Sequence, residues 1–185
     1  LRLLSQGQGA FPACSDQYDA DVHLPDQSRE ASAMIDRSFV ADNRRERERI
    51  KALVANLSDA NMARPCGDGW TVSAQLAHLA FLDWLWLGKF EDWERTGIVR
   101  LPENSADWWD AMIAGLLPWW LNLDYDRVRL DVVQAAEAID RKIETLSESV
   151  LAQILEQRPR TAIRALHRIA HLAEIDQVVE ANITK

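Results

Sequence analysis

The chain has 185 residues, a formal net charge of −8, 48% hydrophobic and 27% charged residues. This is the size and balance of one domain able to bury its own core. The acidic charge, with no basic stripe outside residues 44–49, argues against nucleic-acid binding through the phosphate backbone. Two cysteines, Cys14 and Cys66, are too few for a disulfide framework and form no cysteine metal cluster, which suits a reducing, cytoplasmic setting. The apolar stretches 76–87 and 111–123 are interrupted by Asp83 and Pro118 and fall short of the roughly 20 residues a membrane span needs, so no membrane partner is expected. Seven glycines and six prolines supply few turns for an all-β fold, and the expected class is all-α.

Residues 1–33 carry Gly7, Gly9, Pro12 and Pro25 among many polar residues and no sustained period, so they read as a poorly ordered leader to a domain at 34–185 that starts near Met34. A first helix is expected over 34–57, with Ile35, Phe39, Ile50, Leu53, Val54 and Leu57 at helical spacing. Its charged centre, 43–49, reads as a solvated face with ion pairs three and four residues apart. Turn-forming residues then mark 58–69 as a loop, and Thr71 stands where an N-cap belongs for a second helix over 72–93. A long third region, 96–129, contains Pro118 and reads as one or two short helices. A long helix over 130–146 follows, inward through Val133, Ala136, Ile139, Ile143 and Leu146. After a connection with a helical piece around 150–155, a last helix is expected over 160–182. Its inward stripe is Ile163, Leu166, Ala170, Ala173 and Val178. Four long amphipathic helices of this kind close a four-helix bundle.

The chemistry concentrates on histidine. Of four histidines, three fall in expected bundle helices: His78 in the second, His167 and His171 in the last. Residues four apart on a helix are separated by roughly 40° and 6 Å, so His167 and His171 can aim at one ion from one face. A third imidazole from a facing helix makes a three-nitrogen site with room for water, the form of an open catalytic metal position. The residues between the pair, Arg168, Ile169 and Ala170, exclude the HExxH arrangement of zincins. Glu174 lies on nearly the same face and is a candidate fourth ligand, orienter of a ring nitrogen, or catalytic base. Among eight tryptophans, Trp70 is expected at the base of the bundle and Trp84, Trp86 and Trp93 in core or crossover contacts. The pairs Trp108/Trp109 and Trp119/Trp120 are candidates to wall an apolar pocket over the metal.

The stretch Gly67-Asp68-Gly69-Trp70-Thr71-Val72, followed by Leu76-Ala77-His78-Leu79, resembles the loop and second helix of the DinB-like superfamily. His167-Arg168-Ile169-Ala170-His171 resembles that superfamily's last-helix ligand pair, and the resemblance spans about 34–182. It includes damage-inducible DinB proteins, bacillithiol transferases and the N-terminal domain of mycothiol-dependent maleylpyruvate isomerase. The resemblance implies a four-helix bundle in up-down-down-up order with a long crossover between helices 2 and 3, for which 96–129 is suited. It also implies one divalent metal ion held by His78, His167 and His171; three imidazoles suit zinc, nickel or iron, with zinc or nickel expected first. After the pair, this sequence has Leu172, Ala173, Glu174, Ile175 and Asp176 where the DinB branch often carries further histidines. It has no counterpart of the isomerase's extra C-terminal domain, so isomerase activity is not expected. The implied function is a metal-dependent transferase that joins a low-molecular-weight thiol to a small electrophile, with Glu174 as candidate base and a homodimer as candidate oligomer. Metal-dependent hydrolysis uses the same constellation, and a non-catalytic metal-binding bundle is the reading from another class.

Overall fold

A computed structural model describes residues 34–103 and 105–180; the expected leader at 1–33 and the expected end of the last helix at 182 lie outside the described residues. The described residues form seven α-helices and one 3₁₀ turn, with no strand, so the fold is all-α. In chain order the helices are α1 (Phe39–Asn56), α2 (Asp59–Met62), α3 (Val72–Thr96), α4 (Ala106–Trp120), α5 (Tyr125–Thr145), α6 (Glu148–Gln157) and α7 (Arg164–Glu180). The four longest, α1, α3, α5 and α7, pack in a closed cycle: α1 on α5, α5 on α3, α3 on α7, and α7 on α1.

Local signals account for most boundaries. Thr71 Oγ1 accepts from the Ala74 amide at 3.2 Å and starts α3 at the expected residue. Gly97, at φ 71°, ends it in a left-handed conformation that glycine adopts without a Cβ clash. The stretch expected to be a loop, 58–69, holds the short α2, capped by Ser58, and then turns through Gly67, Asp68 and Gly69, all at positive φ. An antiparallel bridge between Pro65 and Thr71 closes that turn just before α3 begins. In the long third region, α4 is one helix, with Pro118 tolerated in its last turn. Helix α5 begins earlier than expected because Asp124, which accepts from the Arg127 amide at 2.9 Å, caps it.

The last helix departs from its expected orientation. Leu166 and Ala170 are exposed, whereas Arg164, Ala165, His167, Arg168, Leu172 and Ile175 face inward. An apolar stripe is a sound guide only where inward positions are apolar, and here two arginines occupy the centre of the buried face. Arg168, wholly buried, donates to the Asn43 carbonyl of α1 at 3.1 Å, Asp83 of α3 at 2.9 Å and Asp140 of α5 at 3.1 Å. Arg164 donates through Nε to the other Asp83 oxygen at 2.8 Å. Asn43 extends this layer: its amide donates to the Ala162 carbonyl and its oxygen accepts from the Ala165 amide. The charged centre of α1 is therefore only partly a solvated face. Arg45, Arg49 and Lys51 make the expected pairs three residues apart, but Asn43 and Glu46 are buried and Arg47 reaches Asp140.

This polar layer separates two apolar clusters. One gathers Ile50, Leu76, Leu79, Val132, Ala136, Leu172 and Ile175; the other gathers Phe39, Phe90, Trp93, Ile139, Ile143, Leu151 and Ile154. Removing one partner of a buried ion pair leaves its counterpart uncompensated, at a cost of about 3–5 kcal/mol. Arg168→Met keeps the apolar stem but takes Arg168 from Asp83 and Asp140, leaving them only Arg164 and Arg47, and urea unfolding followed by circular dichroism should show a loss of that size. A change below about 1 kcal/mol, the range of an exposed pair, would contradict the network's structural role.

Candidate metal centre

His78 projects from α3 toward α7, where the Arg164-to-Arg168 anchor turns His167 and His171 inward. The three rings meet with centroids 4.7–5.3 Å apart. Each offers one nitrogen such that all three lie within 4.8 Å of one another, and among the described residues this is the group of histidine, cysteine and carboxylate side chains able to hold an ion together. The Nε2 atoms of His167 and His171 are 3.1 Å apart. Two imidazoles on one tetrahedral ion, at about 2.05 Å each, place their nitrogens roughly 3.3 Å apart, so this pair has the spacing of co-ligands.

Each ring has a different environment. The His171 Nδ1–H donates to Gln75 Oε1, and the Gln75 amide donates to Glu174 Oε2 at 2.8 Å. Because a carboxylate only accepts, Glu174 fixes which end of the Gln75 amide faces His171, and the His171 Nε2 is left with its lone pair free. His78 is buried under Trp70 and Trp120, whose ring centroids lie 5.6 and 5.3 Å from its own, and its Nδ1 has no hydrogen-bond partner. A buried polar atom without a partner is costly. His167 is set by Arg164, whose guanidinium Nη2 lies 3.2 Å from His167 Nδ1. The donor set thus fits a divalent ion.

Burial is the main reason that all three rings are weak bases: His78 is lowered to about 3 and His171 to about 4, while His167 is also well below its ordinary value. The Arg164 charge acts in the same direction on each. Neutral imidazoles are the ligating form, and near neutral pH all three rings are neutral. Cys66 is not an activated nucleophile, because burial and then the Glu174 charge push its thiol up to about 11.

Sequence reasoning placed His78, His167 and His171 together, as found. It placed Glu174 beside them, and the structure puts this carboxylate behind Gln75. It passed over Gln75 and Arg164, although each lies three residues before a histidine on the same helix face. Of the tryptophans, Trp70 and Trp120 reach the site; Trp109 stacks instead on Trp86. Trp84, expected in the core or crossover, is 42% exposed, since the buried Asp83 beside it takes the inward position.

A family model described as DinB superfamily matches residues 43–175. The chain belongs to the DinB superfamily. The matched span runs from Asn43 in α1 to Ile175 in α7 and includes all three histidines of the cluster. The comparisons with curated proteins and with solved structures give no match. No helix among the described residues is long and apolar enough to cross a membrane.

The depressed histidine values fix a pH dependence for the metal-free protein. Each ring binds its proton more weakly folded than unfolded, so between the folded values and about 6.5 the unfolded chain holds more protons. Stability should be complete above pH of about 6.5 and should fall as pH drops toward 4, with each ring contributing up to about 1.4 kcal/mol per pH unit. Urea midpoints of metal-free protein measured between pH 8 and pH 4 should show this fall, and His171→Gln should make it shallower. An identical slope in the two proteins would contradict the histidine contribution.

Proposed function

We propose that this DinB-superfamily protein is a metal-dependent enzyme in which His78, His167 and His171 hold one divalent ion, zinc or nickel, and which transfers a low-molecular-weight thiol to a small electrophile. The observation that carries the reading is the convergence of three neutral imidazoles from α3 and α7 within 4.8 Å. A divalent ion bound there supplies Lewis acidity, lowering the pKa of a thiol or water at its open position. The thiol is favoured because the superfamily that the chain resembles includes bacillithiol transferases.

The residues around the cluster suit this use. Trp70 and Trp120 cover His78 and exclude water from that side. Trp120 also lines a mainly apolar groove of about 120 Å³ with Ala77, Phe81, Trp84 and Trp119, which would receive the apolar part of a substrate one indole away from His78. Glu174 orients His171 through Gln75 and is the candidate base. Its position two hydrogen bonds from the His171 ring favours orientation.

The test is a screen of thiol cosubstrates against electrophiles, using protein loaded with zinc or nickel. Turnover should depend on both thiol and metal, fall to background with a chelator, and disappear in His171→Ala while the helical circular dichroism persists. Equal turnover after chelation would contradict metal dependence, and turnover with water alone would redirect the assignment to hydrolysis. In Glu174→Gln, an amide oxygen can still accept from Gln75, so metal content should remain near one per chain. If Glu174 is a base, turnover in this variant should fall by about 10² to 10⁴; unchanged turnover confines it to orienting His171.

A further inference from the structure

The hydrogen bonds through the histidine cluster run in one direction. A guanidinium has donors and no lone pair to accept with, so at the 3.2 Å contact between Arg164 and His167 the His167 Nδ1 must be the acceptor. A neutral ring that accepts at Nδ1 carries its proton on Nε2. That Nε2 stands 3.1 Å from His171 Nε2, which is free to accept because the His171 proton is on Nδ1, facing Gln75. The sequence is then Arg164 to His167, His167 to His171, His171 to Gln75 and Gln75 to Glu174, each member donating to the next.

A metal ion held between the rings needs the His167 Nε2 lone pair, which is the position this chain protonates. The more usual support for a ligating imidazole is an acceptor at its other nitrogen, the arrangement that Gln75 gives His171. Arg164 gives His167 the opposite, and adds a positive charge beside the place a cation would take. It cannot readily turn away, because its Nε is held by Asp83 at 2.8 Å, both side chains are almost wholly buried, and Asp83 is itself tied to Arg168.

We propose that Arg164 is a positioning residue that holds His167 as the Nε2–H tautomer and so keeps the metal affinity of the three-histidine cluster below what the same three rings would otherwise give. The affinity part rests on the metal-binding reading above; the tautomer part does not. In this cluster, His78 and His171 are ready ligands, and His167 joins them only when its bond to Arg164 is given up. The metal is therefore held more weakly than by three rings without Arg164.

Two measurements on the full chain test this. In metal-free protein at pH 7.5, nitrogen-15 NMR of the histidine rings should show His167 protonated at Nε2 and His171 protonated at Nδ1; a His167 ring protonated at Nδ1 overturns the proposal. In the second, zinc alone is titrated in competition with a chromophoric chelator. Arg164→Gln removes the charge and can offer an oxygen to a His167 Nδ1–H, so it should bind zinc about 10- to 100-fold more tightly than wild type, the range of changes in groups that support metal ligands. Arg164→Lys, which keeps charge and donor, should remain near wild type. Binding by wild type with equal or weaker binding by Arg164→Gln overturns the proposal and leaves the metal centre intact. Failure of both proteins to bind zinc or nickel overturns the metal reading itself and the affinity claim with it. Should Arg164→Gln fail to fold, the tautomer in the wild-type protein decides.

Discussion

Arg168 sits in the middle of the molecule with no exposure to water, and a guanidinium is tolerated there only because each neighbouring long helix meets it with an acceptor. Asn43 of α1 offers a carbonyl, Asp83 of α3 and Asp140 of α5 offer carboxylates, and the side chain that joins them belongs to α7. Such a contact set is directional, unlike apolar packing. It fixes the rotation and height of α7 against its three neighbours, because sliding or turning the helix would break the buried pairs that Arg168 makes with Asp83 and Asp140 together. Burial makes its demands felt on Asp140, whose carboxyl is raised by desolvation despite Arg168 beside it.

The functional geometry follows from that constraint. Once Arg168 sets which face of α7 is inward, His167, one residue earlier, and His171, three residues later, are carried to the side of α3 on which His78 lies. The same layer reaches the site directly, since Asp83 pairs with both arginines and Arg164 touches the His167 ring. Structural polarity and candidate metal chemistry are therefore one connected network. At the other end of the cluster, Gln75 and Glu174 set His171, so the two histidines of α7 are held by unlike partners.

Much of this was legible in the sequence because the signals were local. Thr71 before an apolar run marks the start of α3, and three histidines at bundle positions, two of them four apart, mark the site. The inward face of α7 was not legible from hydrophobicity, because Arg164 and Arg168 are buried by Asp83 and Asp140, which lie 81–85 and 28 residues away in the chain. No local pattern announces a partner at that distance. The same reason hides the burial of Asn43, whose partners are Ala162 and Ala165, within the charged centre of α1. It also explains Trp84, which is turned outward by a neighbour whose ion pairs require the interior. Gln75 and Arg164 were in principle readable, three residues before His78 and His167, but spacing alone does not say whether such a residue supports a ligand or opposes it.

Whether one ion is bound by imidazoles from two helices can be read by X-ray absorption spectroscopy of zinc-loaded protein. The expected first shell contains three imidazole nitrogens at about 2.0–2.1 Å, reduced by one imidazole in His78→Ala. A first shell dominated by carboxylate or water oxygens, or one unchanged when His78 is removed, would contradict it.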